Sequence, residues 1–225
     1  MATQELTAEV LEQRLLAPFT PEELEIRVGP SVRSKKVPLF YIDPRSAEHR
    51  LRKVFGIGGY SIRVTNLIAN EDRKDKTQWV DGAAKVVGEE RGLLVSCSVS
   101  IAVDAPPVRC VVENVGEKGL DEPGYNKTTS AYAQGFKRAI AALGIGAYLY
   151  GLKMPPQDYS KERGFGFTIP PDDLIIAALK EVGFRFICEQ TGEQVPWRVA
   201  ALAVNRTGRV LGETALKAMR AAKAQ

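Results

Sequence analysis

The chain has 225 residues, 44% of them hydrophobic, which is enough to bury one substantial core and too much for a disordered polypeptide. A formal net charge of +4 and a pI near 8.9 permit a polyanionic partner without demanding one. Three cysteines without a C-x-x-C pair argue against a disulfide framework, a single histidine cannot complete the Cys-His zinc sets, and no apolar run approaches the ~20 residues that span a bilayer.

The opening MATQELTAEV lacks the cationic and apolar regions of a signal peptide, so an intracellular, cytoplasmic protein with reduced cysteines is expected. Thr7 is placed to cap a short helix carrying Val10, Leu11 and Leu15, and Thr20-Pro21-Glu22-Glu23 is a capping box with proline at N1. The chain then turns basic and extended. Arg33 to Lys36 reads as a loop or hairpin tip before a strand over Pro38 to Ile42, and Asp43-Pro44 supplies an N-cap and N1 proline. Ala47, Leu51, Val54 and Phe55 give the next helix one buried face, closed by Gly56.

From Tyr60 the period changes to two, with Ile62, Val64 and Ile68 alternating with polar residues. The polar run Asn70 to Lys76 predicts a hairpin loop, followed by a less regular strand over Trp79 to Val87. Leu93, Val95, Cys97, Val99, Ile101 and Val103 form one face of a clear strand whose other face, with Ser96, Ser98 and Ser100, is expected to be wet. After Pro106-Pro107 the chain returns through Val108, Cys110 and Val112, the simplest register setting Cys110 opposite Ile101. Gly116 to Lys127 predicts a glycine-rich acidic loop, and Thr129 or Ser130 caps a long helix whose apolar stripe holds Tyr132, Phe136, Ala139, Ile140, Leu143 and Ala147.

Strands followed by one long helix imply an α+β fold: a twisted antiparallel β-sheet, a β-β-β-α core, with the helix packed on it. An exposed sheet edge predicts self-association. Composition changes at Met154-Pro155-Pro156, which divides the chain into a core domain over 1–152 and an appendage over 153–225, expected to lie against the core, pack on a neighbouring subunit or contact DNA. In the appendage, Gly164-Phe165-Gly166-Phe167 reads as a linker or docking strand. Leu174, Ile175, Ala178, Leu179 and Val182 make an amphipathic helix ended by Gly183, and the last segment sets Leu211, Ala215 and Met219 beside Lys217, Arg220 and Lys223.

Enzyme chemistry finds no anchor. His49 is the only histidine and has no recognisable nucleophile motif beside it. The glycine runs complete neither G-x-G-x-x-G nor G-x-x-x-x-G-K-[ST], and the adjacent acids Asp121-Glu122 and Asp172-Asp173 point apart on any helix. A non-catalytic protein without cofactor or metal is expected. Charge is more telling: from Arg27 to Arg63 the chain carries Arg27, Arg33, Lys35, Lys36, Arg45, Arg50, Arg52, Lys53 and Arg63 against only Asp43 and Glu48, as in a polyanion-facing region.

Lys137 and Arg138 project off the apolar stripe of the long helix, adjacent cations that suit phosphate or simply a solvated flank. The run GFKRAIAALGIGAYLYGL resembles the signature helix of the DdrA-like branch of the Rad-fifty-two superfamily of single-strand DNA annealing proteins. RLLAPFTPEELEIRVG and LFYIDPRSAEHRLRKVFG resemble that family's entry segment and strand-to-helix unit in the same order, and the resemblance covers Leu11 to Leu152. It implies an ATP-independent protein that binds single-stranded DNA in a basic groove and anneals it in repair or recombination. It also implies assembly into a homo-oligomeric ring or arc, and work alongside other repair or recombination proteins, away from membranes.

By the same resemblance Lys137 and Arg138 match the family's central Lys-Arg pair, and Arg33, Lys35 and Lys36 occupy the place of its basic hairpin. Tyr41 matches an aromatic at a strand end, Lys127 falls where the family also places a basic residue, Arg45 is added beside them, and all eight are candidate DNA contacts. The chain departs from the pattern after Arg138, where Ala139, Ile140 and Ala141 stand in place of a further base. Tyr148 and Tyr150 are read as packing residues that lock the helix end to the sheet or to the next subunit. An RNA-binding module, an end-protecting protein that does not anneal, and an enzyme acting on nucleotides are the competing readings.

Overall fold

The computed structural model describes residues 7–80, 82–106, 108–119, 127–152, 155–166, 173, 175–177, 179 and 185–223. The predicted features at 120–126, Met154, Phe167, Pro170, Pro171, Leu174, Ala178, Val182 and Gly183 lie outside them. The chain separates into two compact units, one of Met1–Tyr60, Val103–Arg109 and Ile140–Gln225, the other of Ser61–Ala102 and Cys110–Ala139.

In the first unit, helix α1 (Ala8–Leu16) starts where Thr7 accepts the Val10 N–H and buries Leu11 and Leu15. The capping box forms as the Thr20 N–H donates to Glu23 Oε2 at 2.8 Å. Strands β1 (Leu24–Val32) and β2 (Lys35–Ile42) pair antiparallel, with the register shifting between Val28 and Ser31. Asp43 then caps α2 (Pro44–Phe55), which Gly56 ends at φ 74°. The buried face of α2 holds Ala47, Leu51 and Val54 as predicted, and also Arg50, which has no exposed surface. Arg50 therefore leaves the set of polyanion-facing cations: its guanidinium is aimed into the core.

The chain beyond Leu152 contributes to the same unit. Gly164-Phe165-Gly166, read as a linker or docking strand, is strand β7 (Gly164–Gly166) of a hairpin with β6 (Asp158–Ser160), and Gln157 exchanges both main-chain hydrogen bonds with Lys36. Ile175 and Leu179 are helical and buried. A second small hairpin, β8 (Phe186–Ile187) with β9 (Gln194–Val195), leads into α4 (Trp197–Thr207) and α5 (Glu213–Lys223), and α4 packs against α2. Alanine-rich α4 shows no strong apolar stripe in sequence, although Ala200, Ala201, Ala203 and Val204 are all buried.

Glu189 ties α1 to this C-terminal segment. Its carboxylate accepts from Arg14 Nε and Nη2 at 2.9 and 2.6 Å, from Arg209 Nε at 2.9 Å and from the Val210 N–H at 2.6 Å. Burial pushes the carboxyl up, but the bonds from Arg14, Arg209 and Val210 outweigh it and hold the group below the ordinary glutamate value. A depressed folded-state value stabilises the fold above the unfolded-state titration near pH 4.5, and that contribution disappears as pH falls through the folded value. Glu189→Gln is therefore expected to lower stability at neutral pH and flatten the acid limb of a Tm-against-pH curve; an unchanged acid limb would place the pH dependence elsewhere.

The second unit is built on strands β3 (Tyr60–Val80), β4 (Ala83–Ala105) and β5 (Val108–Lys118), hydrogen-bonded in that order. Two-residue links allow only antiparallel pairing between neighbours. The predicted hairpin loop at Asn70–Lys76 is strand: β3 runs on through it to Val80 and β4 starts at Ala83, so the chain reverses inside the predicted Trp79–Val87 strand. The described side chains of this part of the β3–β4 ribbon are exposed, so no buried set of alternate residues marks it. Arg73 pairs instead with Glu71 and Glu89, and Arg91 with Glu89.

Nearer the core, Val95, Cys97, Val99, Ile101 and Val103 are buried as the alternation predicts, whereas Leu93 is 53% exposed and Ser100 is buried. Strand β5 extends to Lys118, into the predicted loop, and α3 (Lys127–Ala142) begins at Lys127, ahead of Thr129 and Ser130. The α3 stripe buries Phe136, Ala139 and Ile140, with Tyr132 stacked on Phe136 at 6.0 Å.

Candidate nucleic-acid interface

The five candidates in the first unit sit on the β1–β2 hairpin and the start of α2. Arg33 and Ser34 form the hairpin tip with φ 46° and 65°, the positive pair that a type I′ turn requires. Arg33 is exposed at the tip. Lys35 lies opposite Val32 and reaches Asp158 at 3.5 Å, an exposed pair of small energetic weight. Lys36 lies opposite Ser31, and its ammonium donates to the Ser31 hydroxyl.

Tyr41, half-buried opposite Glu25, carries the Arg27 guanidinium 5.1 Å from its ring centroid, while Arg27 Nη2 donates to Glu25 Oε2 at 3.1 Å. In the sequence Arg27 stands out only as charge. Its position two residues from Glu25 on the same strand face is the signal that would have found the Arg27–Tyr41 pair. Arg45, exposed in the first turn of α2, lines a cavity of about 270 Å³ with Phe19, Glu23, Ser46, His49 and Asn205. His49 is exposed there.

The three candidates in the second unit belong to α3, and two of them bond to the sheet. Lys127 Nζ donates to Leu93 O at 2.9 Å and Arg138 Nη1 to Val115 O at 2.7 Å. Between them Gln134 Oε1 accepts the Glu117 N–H at 3.0 Å. Lys127, Gln134 and Arg138 are separated by seven and four residues, near whole helical turns, so they share one face. Val115 O and Glu117 N lie on the same side of β5, an edge of the three-stranded sheet, so Arg138 and Gln134 satisfy that edge where a further strand would pair. Lys137, half-buried, is one residue further round the helix than that face.

Tyr148 is buried, its hydroxyl accepting from the Phe19 N–H at 3.1 Å and donating to Phe19 O at 3.3 Å, and burial pushes the phenol well up. Tyr150 does not pack on the sheet of its own chain, being 71% exposed. Among the described residues no group of three or more His, Cys, Asp and Glu could hold a metal ion, and no helix is long and apolar enough to cross a membrane.

The model of the Rad52/22 family double-strand break repair protein matches residues 7–163, more than half of the chain. The chain belongs to the Rad52/22 family. No individual curated protein matches it significantly. Family membership places the chain in double-strand break repair and makes DNA its partner, which accords with the superfamily read from the signature helix.

Proposed function

We propose that this Rad52/22 family member is a DdrA-like, ATP-independent annealing protein that holds single-stranded DNA by its phosphates, works as a homo-oligomeric ring or arc and needs no cofactor. The observation that carries the reading is the cationic hairpin tip, Arg33 with Lys35 and Lys36, in a chain whose family acts on broken DNA. Annealing demands no bond chemistry: the protein neutralises strand repulsion and leaves base edges free to find partners. Cations on rigid elements supply sequence-independent affinity through counterion release, and an exposed aromatic such as Tyr150 adds a face on which a base can stack.

The test is fluorescence annealing of complementary oligonucleotides without ATP or metal. Wild type is expected to accelerate annealing, and Lys137→Ala/Arg138→Ala to abolish the acceleration and reduce the salt slope of single-strand binding by about 1.4, two contacts at ~0.7 each. Arg138 also bonds β5, so circular dichroism must show the variant folded, and Arg33→Ala/Lys36→Ala, which leaves that bond intact, must act in the same direction. No acceleration by wild type, with single strands still bound, would replace annealing by end protection.

A further inference from the structure

The sulfur of Cys188, buried to 2% exposure, sits at the centre of an arrangement that the DNA-binding reading does not use. Cys188 ends the β8 arm of the β8–β9 hairpin. Its N–H donates to Glu193 O at 2.8 Å, and its carbonyl accepts the Gly192 N–H at 2.9 Å, with Gly192 at φ 72° turning the chain back. The segment Val210-Leu211-Gly212 returns alongside: the Glu189 N–H donates to Val210 O at 2.9 Å, and the Gly212 N–H donates to Cys188 Sγ at 3.3 Å. A Cβ built on Gly212 would lie 3.9 Å from that sulfur.

Gly212 is the N-cap of α5, since the Leu216 N–H donates to Gly212 O. Ala215, three residues on, takes the position whose side chain meets that of an N-cap, and it is buried. Cys188, Thr191, Gly212 and Ala215 are separated by two, twenty and two residues. That is the spacing of a four-cysteine zinc site, C-x₂-C-x₁₅₋₂₀-C-x₂-C. The geometry repeats the plan of such a site as well as its spacing: a tight turn with glycine after the second position, then a helix whose first turn carries the last two.

We propose that residues 186–223 are built as a four-ligand metal knuckle that folds without the metal, with Cys188 the one ligand position holding a ligating side chain. Thr191, Gly212 and Ala215 offer no thiolate, imidazole or carboxylate. The cross-link that a metal would provide is taken over by two other devices. One is the Glu189 carboxylate joining Arg14, Arg209 and Val210. The other is the apolar cluster of Ala203, Leu211, Ala215 and Leu216. The Gly212 N–H aimed at the sulfur is the kind of support that a metal-bound thiolate receives.

The experiment restores the three missing ligands in the full-length chain as Thr191→Cys/Gly212→Cys/Ala215→Cys and titrates it with Co²⁺. One Co²⁺ per chain with the visible bands of tetrahedral thiolate coordination is expected, together with a Zn²⁺-dependent rise in Tm; wild type should show neither, and chelator should leave its Tm unchanged. A folded triple variant without those bands, or with bands unaltered by adding Cys188→Ser, would overturn the proposal. Gly212→Cys alone provides the check if the triple variant does not fold: on oxidation it is expected to lose two free thiols while remaining monomeric on a non-reducing gel. Retention of all its thiols under oxidant would count against the proposed geometry.

Discussion

Arg50→Ala is expected to lower the unfolding free energy by about 3–5 kcal/mol, the range for breaking a buried charge arrangement by removing one partner. The guanidinium donates to Asn205 Oδ1 and Ala17 O at 2.6 Å and to Pro18 O at 3.3 Å, and its carbon lies 4.1 Å from the Phe19 ring centroid. Asn205 in turn donates to Glu23, whose other oxygen closes the capping box with Thr20. One side chain on α2 thus satisfies two carbonyls just past α1 and an amide on α4. Desolvation pulls the guanidinium down to about 10 against the pull of Glu23, so it remains charged at neutral pH. Arg50→Lys keeps the charge but not the planar fork, and should recover only a minor part of the loss. Urea denaturation of both variants checks this; a loss under about 1 kcal/mol for the alanine variant would mean that the freed carbonyls find water.

Gly116→Ala should have the next largest effect, a loss at or above the ~3 kcal/mol upper end of ordinary overpacking. A Cβ there would fall inside contact distance of Ala131 O and Gly135 N and 2.7 Å from Gln134 Cβ, all on α3. Helix and strand touch backbone to backbone at this point, so no flexible side chain can give way. Gly135→Ala is the informative contrast. Its Cβ would lie 2.8 Å from Cys97 O, a milder conflict, and alanine gains up to ~1 kcal/mol of helix propensity over glycine. Gly116→Ala should also speed hydrogen exchange at the Glu117 amide, because moving α3 outward withdraws Gln134. Equal destabilisation by the two variants would refute the close approach as the cause.

The parts of this fold that could be read from sequence are those governed by local chemistry or burial on one face. Thr7, the Thr20 box, Asp43-Pro44 and Gly56 act through bonds within a few residues, and Val95 to Val103 alternate because one face is buried. The failures share the opposite property. Residues 70–76 form strand without a buried face, so their polarity imitates a loop. Arg50 is held by groups on α4 and past α1, so its charge imitates a surface residue. The candidate interface divides in the same way: its cations were visible as composition, whereas the bonds of Lys127 to Leu93 O and Arg138 to Val115 O depend on how α3 lies across the sheet.

The hairpin tip carries one further implication. Arg33 and Ser34 both adopt positive φ without being glycine or asparagine, each at a cost of about 1–2 kcal/mol. Asn-Gly at these two positions would relax the turn and delete its cation together. Selection for thermal robustness and selection for charge therefore pull in opposite directions on the same two codons, and a stability-guided redesign that ignored DNA would be drawn to remove Arg33 first.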